Sequence, residues 1–190
     1  MTVSSREPPL ISTAACIALS LLTDKPLSGL ARERQTLKNR EREKNVLKTK
    51  LLHPEILRVL ASSGHFSQVL IADGNYPFTS RSGPGATTVY LNLMPGIPKT
   101  TDVLEALLDM IPLQGAAIME TPNGEKAPIH DEYIKMLPQG LEMKRYERYA
   151  FYDAACSPLT SLVIATGETR RFANLLLTIG VVKLDQSERY

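Results

Sequence analysis

In Gln68-Val69-Leu70-Ile71-Ala72, four apolar residues follow one another without a break. A strand with one wet face alternates polar and apolar side chains. An unbroken run therefore marks a strand covered on both faces, as in a parallel sheet with helices above and below. Parallel neighbours need crossovers, and the flanking sequence supplies them. Ile56, Leu57, Val59 and Leu60 recur at helical intervals behind His53-Pro54-Glu55. Proline suits the first helical turn, and an acid suits the positive end of the helix dipole. Ser62-Ser63-Gly64 closes this helix, with Gly64 as the expected left-handed cap.

Further along, the two periods keep alternating. Asp73-Gly74-Asn75 is turn chemistry, and a Gly-, Ser- and Pro-rich loop runs to residue 87. Strands are expected over Thr88–Leu93, Ala116–Glu120, Leu141–Tyr146, Ser161–Thr166 and Asn174–Val182, the last kinked near Gly180. Helices are expected from Thr100-Thr101-Asp102 to about Ile111, over 129–137, and over Glu147–Cys156, and Pro122-Asn123-Gly124 reads as a turn. The class is α/β: one compact three-layer domain, its sheet mostly parallel but mixed, flanked by helices. There is no internal repeat. Residues 47–190 read as the domain, and 1–46 as a basic extension, poorly ordered or helical.

Composition narrows the function. Net charge is +2, but residues 1–50 carry +5 and the rest −3. A body of that sign is a poor partner for nucleic acid. Within the head, ARERQTLKNREREKNVLKTK has Glu and Arg/Lys at helical spacings and few apolar residues, which reads as a solvated helix. The uncharged stretch Pro8–Leu22 is shorter than the ~20 residues a membrane-spanning helix needs. It also lacks the basic lead and cleavage site of a signal peptide, since Glu7 follows Arg6 directly, and the head is too acidic for a mitochondrial presequence. No membrane association is expected. Two cysteines, Cys16 and Cys156, build neither a disulfide framework nor a thiolate zinc site. They suit a reducing compartment, and the cytoplasm is the expected location.

Ligands of open α/β sheets gather at the carboxyl ends of strands. That rule selects Asp73, Gly167-Glu168 and the segment Arg170–Asn174. His53 reads as a cap, and His130, beside Asp131-Glu132, as an exposed residue. His65 stands between a helix end and a strand, where it is a structural residue or a working one; with Asp73 it makes a weak metal pair. Ser82-Gly83-Pro84-Gly85 lacks the Lys-Ser/Thr of a phosphate loop and reads as a mobile connection. No Gly-x-Ser-x-Gly elbow is present, and Cys156 lacks a basic neighbour and reads as buried and structural.

Three segments together resemble the L-fucose mutarotase and D-ribose pyranase family. They are HPEILRVLASSGHFSQVLIADGNYP (53–77), RYAFYDAA (148–155) and ATGETRRFANLLLTIGVV (165–182). Their order and spacing match the family from about residue 48 to 182. The resemblance implies interconversion of the α and β anomers of a free monosaccharide. It also implies a ring-shaped homo-oligomer, often a decamer, with sites at subunit boundaries and with neither metal nor organic cofactor. Residue by residue, His65 matches the catalytic histidine and Asp73 the carboxylate that holds sugar hydroxyls. Arg148 matches the basic residue that reaches the sugar, and Phe172-Ala173-Asn174 the tripeptide that touches it. Tyr152 is a core aromatic with a tethered hydroxyl or a direct participant, and Arg148 alternatively an ion-pair partner of Glu147 or Asp153.

One departure stands out: the tripeptide usually begins with Tyr, and here with Phe172. Arg148 and the aromatics after it favour the fucose branch, whereas Ala173 is the ribose branch's residue. Three readings follow: a fucose mutarotase, the same enzyme for ribose or galactose, or a sugar-binding protein that has lost turnover. A nucleic-acid role for the head is the most distant.

Overall fold

Where helices alternate with short parallel strands, each crossover places a helix on a sheet face, and the burial pattern shows which one. The computed structural model describes residues 47–182. The extension expected over 1–46, including Cys16, and the segment after 182 lie outside them.

Helix α1 (Pro54–Ser62) leads into β1 (Gln68–Ala72), and β2 (Thr87–Tyr90) is followed by α2 (Thr100–Leu108) and β3 (Leu113–Met119). After a 3-10 turn at Pro122–Gly124 come α3 (Pro128–Met136), β4 (Glu142–Tyr146), α4 (Arg148–Ala155), β5 (Thr160–Ala165) and β6 (Leu175–Ile179). The sheet order is β2-β5-β1-β6-β3-β4. β1 and β2 pair in parallel with β5, and β3 with β4, whereas β6 is antiparallel to both β1 and β3. The expected mostly parallel, mixed sheet is present.

Side-chain alternation divides the interior in two. Val69, Ile71, Leu162, Ile164, Leu175 and Leu177 face Ile56 and Val59 of α1, Leu104 and Leu107 of α2, and Ile129 and Tyr133 of α3. Leu70, Ala72, Val163 and Leu176 face Phe151 and Ala155 of α4 and Tyr76 of the loop after β1. Among the described residues, three helices thus cover one face and a single helix the other.

Several local expectations are corrected. Gly64 is not a left-handed cap: Ser63 leaves α1 in an extended conformation, and the positive φ falls on Phe66 at 68°. His53 caps α1 as expected, its side chain accepting from the Ile56 N–H. β2 ends at Tyr90 rather than Leu93, because the chain turns away to meet the far end of β5: the Gly96 N–H donates to the Gly167 carbonyl at 2.5 Å. α2 stops at Leu108, short of Ile111. β6 ends at Ile179, before Gly180, so no kinked strand exists there. Within the Gly-, Ser- and Pro-rich loop, Gly83 is packed against the backbone carbonyls of Ser157 and Thr160. Cys156 is half-buried at the end of α4, not fully buried.

Gly167 is where the chain runs closest to itself. A Cβ there would collide with the backbone carbonyls of Met94 and Ile97. Gly167→Ala is expected to cost about 2 kcal/mol, because backbone rather than a flexible side chain must yield. Urea melts of the two proteins check this, with a lower midpoint for the variant and an unchanged slope.

Candidate functional site

An antiparallel strand among parallel ones brings its beginning to their ends. Leu175 opens β6 opposite Ile71, so Asn174 comes level with the residues that close β1. There Asn174 and Asp73 pair reciprocally. The Asp73 N–H donates to Asn174 Oδ1 at 2.9 Å, and Asn174 Nδ2 donates to Asp73 Oδ2 at 2.9 Å. The Asn75 N–H donates to Asp73 Oδ1 at 3.0 Å. Both side chains are buried. Burial pushes the Asp73 carboxyl above its usual range, with the Asn75, Ala173 and Asn174 hydrogen bonds opposing.

The two residues before Asn174 are held by their carbonyls. His130 Nε2 lies 3.0 Å from the Phe172 oxygen, and the Tyr133 hydroxyl lies 2.7 Å from the Ala173 oxygen and 2.7 Å from Thr100 Oγ1. His130 is therefore buried, not exposed as its acidic neighbours suggested. The helical period turns 130 and 133 towards the sheet and leaves Asp131 and Glu132 outside. Burial lowers the His130 pKa, and the Phe172 carbonyl opposes. Phe172 adopts φ 60°, and its ring packs against both core clusters, with the Arg171 guanidinium 5.3 Å from its centroid. No sequence motif marks Tyr133. Its signal is the i, i+3 spacing from His130 on an apolar helix face.

Glu168 lies beneath this loop and is fully engaged. Arg170 grips it with Nε to Oε1 at 2.9 Å and Nη2 to Oε2 at 2.7 Å, while Arg170 Nη1 reaches Glu132 at 2.8 Å. The backbone N–H groups of Thr169 and Arg170 also donate to Oε1. Burial alone would raise this carboxyl, but the Arg170 guanidinium and these N–H groups outweigh it and hold it at about 2. Glu168 fixes the loop; it is not a free ligand.

Arg148 opens α4 and is exposed. It forms no ion pair with Glu147 or Asp153, because both carboxylates have other partners. Glu147 accepts from the Tyr149 N–H at 2.9 Å, and Asp153 faces Arg81 at 3.5 Å. Tyr152 is held by aromatic contact rather than through its hydroxyl. Its ring meets Tyr76 edge-on at 5.6 Å and Tyr149 at 6.4 Å, with the Arg81 guanidinium 5.8 Å from its centroid. Through Tyr76, three residues after Asp73, α4 is joined to the Asp73 turn.

His65 lies elsewhere. It precedes β1 whereas Asp73 follows it, and five strand residues alone span roughly 17 Å. His65 is exposed; Nε2 is 2.6 Å from Gln114 Oε1, and the ring sits 4.0 Å from that of Phe66. Phe66 and Gln114 also line a cleft of about 260 Å³ on the sheet face that carries α4. The sequence-predicted residues thus fall into two groups at opposite ends of the sheet: Asp73, Arg148, Tyr152 and Phe172-Ala173-Asn174 at one, His65 at the other.

Among the described residues, no helix is long and apolar enough to cross a membrane.

Comparison with known proteins gives a consistent result. Residues 46–182 match the RbsD / FucU transport protein family. The chain is 35% identical over 144 residues to a fucose mutarotase of Danio rerio, covering 70% of this chain and 90% of that protein. It is 30% identical over 139 residues to a D-ribose pyranase of Variovorax paradoxus (strain S110), covering 70% and 97%. The solved structure of FucU from Bifidobacterium longum superposes with a TM-score of 0.59 at 35% identity, covering 69% of this chain and 95% of that one.

Proposed function

Because the chain belongs to the RbsD / FucU transport protein family, we propose that it is a monosaccharide mutarotase, an isomerase that interconverts the α and β anomers of a free sugar. L-fucose is the favoured substrate, and the similarity to fucose mutarotases supports it. The observation that carries the reading is the buried Asp73–Asn174 pair at the strand ends, with Arg148 and Tyr152 on the helix beside it.

Mutarotation opens a hemiacetal. A base takes the proton of the anomeric hydroxyl while an acid protonates the ring oxygen. The C–O bond breaks, the aldehyde turns, and the ring recloses on its other face. An imidazole works as such a group near neutral pH, and a positioned acid–base group supplies roughly 10²–10⁴-fold. In this reading His65 carries the proton. Asp73 and Asn174 hold sugar hydroxyls, and Arg148 reaches the sugar.

Since His65 and Asp73 end opposite sides of one strand, the reading requires His65 of a second copy. A ring, a decamer by resemblance, provides it. The exposed Val181 and Val182 just after β6 suit contact between copies. No cofactor enters this chemistry, and the reading places the protein in the cytoplasm.

D-ribose is the second reading, favoured by Ala173 and by the D-ribose pyranases among the relatives. Saturation-difference proton NMR on L-fucose, D-ribose and galactose separates the two. Saturating one anomeric proton reports exchange into the other. Transfer above the spontaneous rate names the sugar, and none with any sugar from folded protein rejects the enzyme.

Phe172→Tyr tests the missing hydroxyl. The Phe172 ring is a packing element between the core and Arg171, so exchange is expected to change by less than about threefold. A gain near the roughly 10²-fold of a positioned general acid would instead identify a lost proton donor.

A further inference from the structure

On the mutarotase reading, Asn174 must present its amide at a fixed angle beside Asp73. What sets that angle is the backbone just before it. Phe172 sits at φ 60° without being glycine, a conformation that is unfavourable for an L-residue and persists only where its surroundings impose it. Two side chains one helical turn apart on α3 take hold of successive carbonyls: His130 at Phe172 (3.0 Å) and Tyr133 at Ala173 (2.7 Å). Helix α3 is itself tied to the same loop from its outer side, through Glu132 and Arg170.

We propose that His130 is a positioning residue of the sugar site, whose Nε2–H grips the Phe172 carbonyl and so aims Asn174 at Asp73. This inference rests on the mutarotase reading. A neutral imidazole donates from one nitrogen only, so the geometry also dictates the tautomer, with the proton on Nε2. The surroundings favour the neutral ring. His130 is 5% exposed, Arg145 of β4 opposes its protonation and Asp131 of α3 favours it. Its other neighbours line a cleft of about 320 Å³ at the end of β3, where Glu120, Glu125 and Lys126 are the charged groups.

The test compares unaltered protein with His130→Leu and His130→Gln, following anomer exchange by NMR against sugar concentration. His130→Leu should raise the half-saturating concentration about tenfold, the worth of one hydrogen bond that orders a binding group. The maximal exchange rate per folded protomer should change much less. Gln places an amide N–H near Nε2 and should recover most of the loss. A residue needed only for folding would reduce the active fraction and leave half-saturation unmoved. Half-saturation within twofold of unaltered protein in a folded His130→Leu overturns the inference, as does equal loss in both variants. Should His130→Leu not fold, ¹⁵N NMR of the unaltered protein decides. A proton on Nε2 supports the grip, and a proton on Nδ1 overturns it. Absence of exchange by unaltered protein rejects the mutarotase reading itself, a distinguishable result.

Discussion

His65→Ala is expected to lower anomer exchange by about 10²–10⁴-fold, the range of a positioned acid–base group, while leaving the fold as stable as before. His65 is exposed and holds only Gln114 and the face of Phe66, so little packing is lost. Asp73→Asn should also suppress exchange, by removing the charge proposed to hold sugar hydroxyls. The two lesions lie at opposite ends of β1, and this separation makes a sharper prediction than either alone. If one site draws His65 and Asp73 from different copies, the two inactive variants complement each other when mixed. In a heterologous ring assembled at random from equal amounts, roughly one site in four joins an intact His65 to an intact Asp73. Unfolding the two together, refolding them and measuring exchange should therefore recover about a quarter of unaltered activity. Mixed oligomers as inactive as their parents would mean that each copy builds its own site, and the assignment of His65 would fall.

Glu168→Ala is expected to destabilise the protein by about 3 kcal/mol, the lower end for breaking a buried ion pair. The lower end applies because Arg170 is one-third exposed and keeps Glu132 as a partner. The pH dependence identifies the cause. The folded-state pKa of Glu168, about 2, lies below its ordinary value of 4.5. The stabilisation is therefore fully present above about pH 4.5 and is lost as pH falls towards 2. A shift of that size corresponds to about 3 kcal/mol. Urea melts at pH 7 and at steps between 5 and 2.5 should show the gap between the unaltered protein and Glu168→Ala closing as acid is added. A constant gap would mean that Glu168 acts through shape and not charge.

The sequence carried the fold well and the site unevenly, for physical reasons. Val69–Ala72 and the Ser161–Thr166 run were legible because a strand covered on both faces has no polar position to spare. Strand ends were less so. Thr88–Leu93 reads as one run, yet the sheet releases it after Tyr90 to meet Gly167, a contact between segments about 70 residues apart that no local pattern records. His130 reads as exposed because Asp131 and Glu132 set the local polarity, yet it is buried because helical period sets the side. Motif resemblance and the strand-end rule mark Asp73 and Asn174 in the sequence, and motif resemblance marks Arg148. That the first two grip each other, or that Glu168 is consumed by Arg170, requires the third dimension.

The position of β6 bears on how the protein is made. Among the described residues, β6 is the latest of the six strands and yet lies inside the sheet, linking β2-β5-β1 to β3-β4. On the ribosome, the two half-sheets emerge first and have nothing to zip them together, each showing an unpaired edge to the cell. Closure waits for residues 175–179, and Asn174 arrives with them. A chain cut short before that point is expected to lack both the continuous sheet and the Asp73–Asn174 pair.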